Sequence, residues 1–267
     1  MPEFSTNTPI SIVASFASGS INITTEERET VNVVVSPHGD SERSRQAAEA
    51  IKVELSGDSL TIEAPENSSW RSREDQLVKI EVQAPSESSA LINVASASVK
   101  CRGRYSQVHV NSASSAIEID EVSGDVKIQI ASGNTRIVGV GGRLTAKTAS
   151  GDVTVASVAG RVDTKTASGD IEIGEAGGDV RSKSASGNLR VNAAHGGTIS
   201  VSSASGNVSV GVVPGTGVWL DLKSRSGSIS SDLDTTGDPP DTHDLSIQVR
   251  TVSGDIDILR TLQKATV

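Results

Sequence analysis

The sequence predicts an all-β protein: a β-solenoid with coils of about 18 residues behind a β-rich N-terminal capping region. Three observations predict it. Ser-Gly pairs start at Ser132, Ser150, Ser168 and Ser186, one unbroken interval. Apolar residues keep the same phase in successive repeats. The chain is rich in Ser, Thr, Val, Gly and Ala and has five aromatics, Phe4, Phe16, Trp70, Tyr105 and Trp219, so small and β-branched side chains must fill its core.

The interval is clearest in "KTASGDVTVASVAGRVDTKTASGDIEIGEAGGDVRSKSASGNLRV", which runs from Lys147 to Val191. Ser114-Ser115 stands one interval earlier, and Ser205-Gly206, Ser226-Gly227 and Ser253-Gly254 follow at lengthening intervals, as loops inserted into later rungs would produce. Gly124, Gly142, Gly160, Gly178 and Gly196 or Gly197 run in antiphase, so each unit holds two turns and two short strands. One apolar column comprises Val108, Val126, Leu144, Val162, Val180, Ile199, Leu220 and Ile247; a second comprises Ile117, Val153, Ile171, Leu189, Val208, Ile229 and Ile256. A third contains Ile119, Ile137, Val155, Ile173, Val191, Val210 and Ile258. Turns stacked at about 4.8 Å place each side chain on its counterpart in the next turn and require this repetition. About nine coils are expected between Ile92 and Arg260. An antiparallel β-meander or sandwich gives similar alternation, but it has no reason to keep every second strand equivalent. Glycine supplies the positive φ of a tight corner, and the Asp or Asn after it can bond neighbouring backbone amides.

Residues 1–91 read as the capping region. Strand candidates are "SINIT", "TVNVVVS", "IKVEL", "SLTIEA" and "LVKIEVQA", and "SERSRQAAEA" is the one helix, started by Asp40 or Ser41. Residues 92–267 form the repeat solenoid, with a loop insertion near 232–244 before the last copy, "LSIQVRTVSGDIDI". Open solenoid ends expose unpaired backbone groups, which the lead-in can cover.

Several function classes are disfavoured. A net charge of -9 and scattered aromatics argue against a nucleic-acid partner. With only Cys101, no intrachain disulfide or thiolate metal cluster can form. No basic segment followed by an apolar run opens the chain, and no stretch approaches the roughly 20 residues of a membrane span. The expectation is a soluble cytoplasmic protein, or a cell-surface one if a leader has been removed.

The units "SGDV", "SGDI" and "SGNL", recurring at the repeat interval behind a β-rich segment, resemble the bacterial DUF4097 proteins, also labelled putative adhesins or β-strand repeat-containing proteins. The resemblance covers most of the chain and is strongest from Ser112 to Val210. It implies a β-solenoid and supplies no catalytic residues to carry over.

The calcium-binding coils of the RTX family need a fuller acidic set. Here Arg143, Arg161 or Asp179 follows the second corner, and Asn134, Asn188 and Asn207 replace acidic residues. The segment "DLDTTGDPPDTH" imitates an EF-hand start at Asp232, Asp234 and Gly237, but His243 occupies the bidentate Glu position and no helices flank it. No metal ligand and no cofactor are expected. Lys147, Lys165 and Lys183 share one phase of the repeat, in a series continued by Lys223 and Arg250, as a candidate strip for an acidic polymer or protein partner. The plainer reading is a solubilising face, with Asp163, Arg181, Arg161 and Asp179 offering local charge pairing.

A noncatalytic binding or scaffold module is therefore expected. The alternative is a carbohydrate-active lyase or hydrolase on a β-helix, but Asp152 and Asp170 belong to turns, and His38, His109, His195 and His243 accompany no nucleophile motif.

Overall fold

Equivalent side chains stack on one another throughout the repeats, as their common phase requires. The structure is a computed structural model that describes residues 3–6, 8–65, 77–233 and 244–261. It divides into two units, Met1–Ile137 and Val138–Val267.

In the first unit, strand β1 (Glu3–Ser5) precedes β2 (Ser11–Glu26), β3 (Thr30–Pro37), helix α1 (Glu42–Ala50), β4 (Lys52–Ser56) and β5 (Ser59–Glu63). The strands β6 (Val78–Pro85), β7 (Ser88–Ser114), β8 (Ile117–Val122), β9 (Val126–Ser132) and β10 (Thr135–Val140) follow, the last crossing the boundary in sequence. The segment "SINIT" is only the second half of β2, which turns a corner at Gly19, φ +125°, where a Cβ would lie 1.9 Å from the Val78 carbonyl oxygen. Before the corner β2 pairs in parallel with β5, after it with β6, and along its other edge with β7. Antiparallel β4 and β3 extend β5 and β6, and β1 extends β3. Of the two helix-start candidates, Ser41 is the N-cap: its hydroxyl accepts the Ser44 amide at 3.0 Å. Strand β7 passes through the 91/92 position without a break and carries an irregularity between Cys101 and Arg104. Just after it, buried Tyr105 donates to the Ile23 carbonyl at 2.8 Å. Burial of Cys101 pushes its thiol up to about 12.

The second unit contains two parallel ladders. One begins β11 (Leu144–Ser150), β13 (Val162–Ser168), β15 (Val180–Ser186) and β17 (Gly197–Ser205); the other begins β12 (Val153–Val158), β14 (Ile171–Ala176), β16 (Leu189–Ala194) and β18 (Val208–Val212). Leu144, Val162, Val180 and Ile199 pair in register, as do Val153, Ile171, Leu189 and Val208. All eight are buried. Val108 and Val126 repeat the arrangement in the first unit. Parallel pairing at the repeat interval makes these coils a β-solenoid and removes the meander alternative. Among the described residues, antiparallel pairing is confined to the N-terminal strands.

The repeated corner has two causes. Gly151, Gly169 and Gly187 have φ of 127°, 137° and 135°, and a Cβ on Gly169 would lie 2.3 Å from the Gly151 carbonyl oxygen, so both conformation and contact demand glycine. The next residue then builds a one-way ladder. Asp152 Oδ1 accepts the Asp170 amide at 2.9 Å, Asp170 Oδ1 accepts that of Asn188 at 2.7 Å, and Asn188 Oδ1 accepts that of Asn207 at 2.9 Å.

The final coils depart from sequence order. Strands β19 (Val218–Ser226) and β20 (Ile229–Ser231) precede β21 (Leu245–Ser253) and β22 (Ile256–Arg260), yet β17 pairs with β21 and β21 with β19. Likewise β18 pairs with β22 and β22 with β20. The last coil in sequence is therefore inserted under the one before it, not stacked after it with a looped-out rung. Its apolar set explains the choice: Leu245, Ile247, Val249, Ile256 and Ile258 are all fully buried, whereas Ile229 is 47% exposed at the end of the stack. The Asx ladder follows the spatial order, from Asn207 to Asp255 and from Asp255 to Ser228.

Candidate functional site

Lys147, Lys165 and Lys183 occupy the middle of β11, β13 and β15, between inward residues such as Ala146 and Thr148, so the pleat turns them outward. They are exposed and pair directly in register. Parallel neighbours lie about 4.8 Å apart, which gives three ammonium groups on a common line. Exposed Ala149, Ala167 and Ala185 lie on the same outward side and leave the lysine stems uncovered on that flank.

The row continues differently from the sequence order. Ser202 follows Lys183, then Arg250, and Lys223 stands last. Asp221 partners both terminal cations, 3.1 Å from Lys223 Nζ and 3.3 Å from Arg250 Nη2. Asp163 is held by Arg161 through two contacts of 2.9 and 3.2 Å rather than by a lysine. Among the described residues, the ion pairs of this region go to Arg161, Lys223 and Arg250, and none to Lys147, Lys165 or Lys183. Asp179 faces the second corner, where its Oδ1 accepts the Thr198 amide at 2.9 Å.

The other sequence candidates serve the scaffold. The Asp152 and Asp170 carboxylates accept amides of the Asx ladder. Asn188 and Asn207 perform the same task without charge, which explains why an acidic residue is not needed at every corner. His109 Nε2 lies 3.1 Å from Asn111 Oδ1, and Asn111 in turn donates to Asn93 at 2.8 Å. Burial first, then nearby Lys127, lowers the His109 pKa. Asp234, Gly237, His243 and Trp70 lie outside the described residues. Among the described residues there is no cluster of His, Cys, Asp or Glu able to hold a metal ion. No described helix is long and apolar enough to cross a membrane.

A feature the sequence reading missed is the end coil. Ser228 stands where the other Ser-Gly corners of the repeats carry Asp or Asn, and its amide and hydroxyl both donate to Asp255 Oδ1 at 2.8 Å. In "SGSISS" the Asx acceptor is replaced by a serine, and among the described residues no further coil stacks on this corner.

Comparison with known proteins bears on the whole chain. A solved putative adhesin from Bacteroides fragilis is 11% identical, with 96% of this chain and 95% of that chain covered and a TM-score of 0.46. A putative lipid binding protein from Parabacteroides distasonis is also 11% identical, with 98% and 96% covered and a TM-score of 0.40. Among curated proteins none matches. The Toastrack DUF4097 family model matches residues 10–259, nearly the full length, and the chain belongs to that family.

Proposed function

We propose that the protein is a noncatalytic binding or scaffold module that presents a rigid, repetitive β surface to an acidic polymer or to a protein with regularly spaced acidic groups. Lys147, Lys165 and Lys183 are the contact row. The observation that carries this reading is their in-register pairing on adjacent coils with no carboxylate partner among the described residues. Stacked like charges disfavour one another, and an anion of matching repeat relieves all three at once. Each contact is weak, so affinity comes from their number. The engagement of Asp152 and Asp170 in backbone bonds supports the noncatalytic part of the reading.

The test is binding of fluorescent poly-L-aspartate to the full chain and to a Lys147→Ala, Lys165→Ala, Lys183→Ala variant over a range of salt. Loss of three cations should weaken binding at least about ten-fold and flatten its salt dependence, with circular dichroism unchanged. Equal affinity and equal salt dependence would remove the row as the site. Turnover of a glycan or ester by the wild type would overturn the noncatalytic reading.

A further inference from the structure

The end of the second unit is an unfinished sheet. Among the described residues, β19 pairs only with β21 and β20 only with β22, so one edge of each has no strand beside it. The apolar columns also end there uncovered: Leu220 and Leu222 are half-buried, and Ile229 is 47% exposed, whereas their stacked neighbours Ile247, Val249 and Ile256 are fully buried. Trp219 is 42% exposed on the outer side of the same strand. A strand edge with a bare apolar layer favours addition of another strand.

The outward residues of β19 specify which strand. They read Trp219, Asp221, Lys223 and Arg225, an aromatic, an anion and two cations at alternate positions. Opposite residues of an antiparallel pair point to the same side, so a homotypic pairing can be tested register by register. Centring on Asp221 sets carboxylate against carboxylate, and centring on Lys223 sets ammonium against ammonium. Centring on Leu220 leaves Lys223 and Arg225 beyond the paired stretch. Centring on Ser224 sets Lys223 against Arg225, so only centring on Leu222 brings opposite charges face to face: Asp221, which also holds Lys223 and Arg250 of its own chain, meets Lys223 of the second copy, Trp219 meets Arg225 of the second copy, and both pairs occur twice. The Trp and Arg side chains then stack as a cation on an aromatic face. On the inner side Leu222 meets Leu222, and Leu220 lies opposite Ser224 of the second copy.

We propose that the free edge of β19 is a homodimerisation surface, on which a second copy of this chain adds its own β19 antiparallel about a two-fold axis through Leu222. The pairing is isologous, so it closes at two copies and does not propagate into a fibre. It shares Lys223, the last member of the outward row, with that face, but none of Lys147, Lys165 and Lys183 takes part.

Sedimentation velocity on the full chain tests this, with wild type, Lys223→Asp and Asp221→Lys measured singly and as an equimolar mixture of the two variants. Wild type should dimerise with concentration. Each variant alone places like charges opposite each other twice and should self-associate at least about ten-fold more weakly. The mixture should recover a dimer, because the two reversed strands complement one another. Melting curves confirm that each variant is folded. A wild type that stays monomeric up to about 0.1 mM would overturn the proposal. So would variants that dimerise as well as wild type, or a mixture no better than its components.

Discussion

Gly169→Ala isolates the physics of the stacked corner. The native φ of 137° lies where an L-residue is strained by about 1–3 kcal/mol. The new Cβ would also lie 2.3 Å from the Gly151 carbonyl oxygen, about 1 Å inside ordinary contact. Opening that gap stretches the interlayer bonds that cross it, Gly151 N to Ser168 O at 3.2 Å and Val153 N to Asp170 O at 2.9 Å, and losing one adds about 1 kcal/mol. The expected destabilisation is about 3 kcal/mol or somewhat more. Gly215→Ala is the control in the same unit: its φ is 86°, but a Cβ there meets nothing within 4 Å, so only the conformational cost of about 1–2 kcal/mol applies. Urea unfolding followed by circular dichroism should resolve a difference of at least about 1 kcal/mol at unchanged m-value. A Gly169→Ala variant as stable as Gly215→Ala would refute close approach of successive coils as a reason for the glycine.

Val162→Asp places an unpaired carboxylate in a fully buried column and should cost several kcal/mol, whereas Lys165→Ala on the same strand should change stability by less than about 0.5 kcal/mol; thermal melts compare them. Cys101, buried and protonated, should resist a maleimide in the native protein and react stoichiometrically in denaturant, as mass spectrometry would show. The Ser228 amide first, then its hydroxyl, lowers the Asp255 pKa from 3.8. A carboxylate depressed on folding contributes fully above its unfolded value and progressively less as pH falls through the folded one. Hydrogen exchange at the Ser228 amide should therefore lose protection below about pH 3.8 in the wild type, and Asp255→Asn should abolish that acid step.

The repeat itself was legible because stacking imposes one chemistry per column. Val162, Ile171 and Ile173 share their phase with every other unit, and a single sequence displays that phase directly. The Ser-Gly-Asx corner was legible for the same reason. Neighbour identity was not: phase states where in a coil a residue sits, not which coil lies beside it. Ile229 and Ile256 carry the same phase label, yet one closes the stack and the other is enclosed. The candidate row suffered likewise, since Arg250 and Lys223 exchange places and Ser202 separates them from Lys183. The first half of β2 escaped notice because its corner at Gly19 precedes the regular interval, where no repeat supports it.

The exchanged order of the final coils has a consequence for biosynthesis. Residues 218–231 leave the ribosome before 245–260, yet their native neighbour is the later segment. While the later segment is missing, β19 faces a vacant β17 edge whose column residues Ile199 and Val201 accept Leu220 and Leu222 in correct phase. The first neighbour in phase that emerging β19 can meet is therefore not its native one. Where β19 docks on β17 before residues 245–260 emerge, completion requires it to step outward by one layer and admit the later coil. In refolding from denaturant both segments compete for the β17 edge from the start, and that order of emergence is removed.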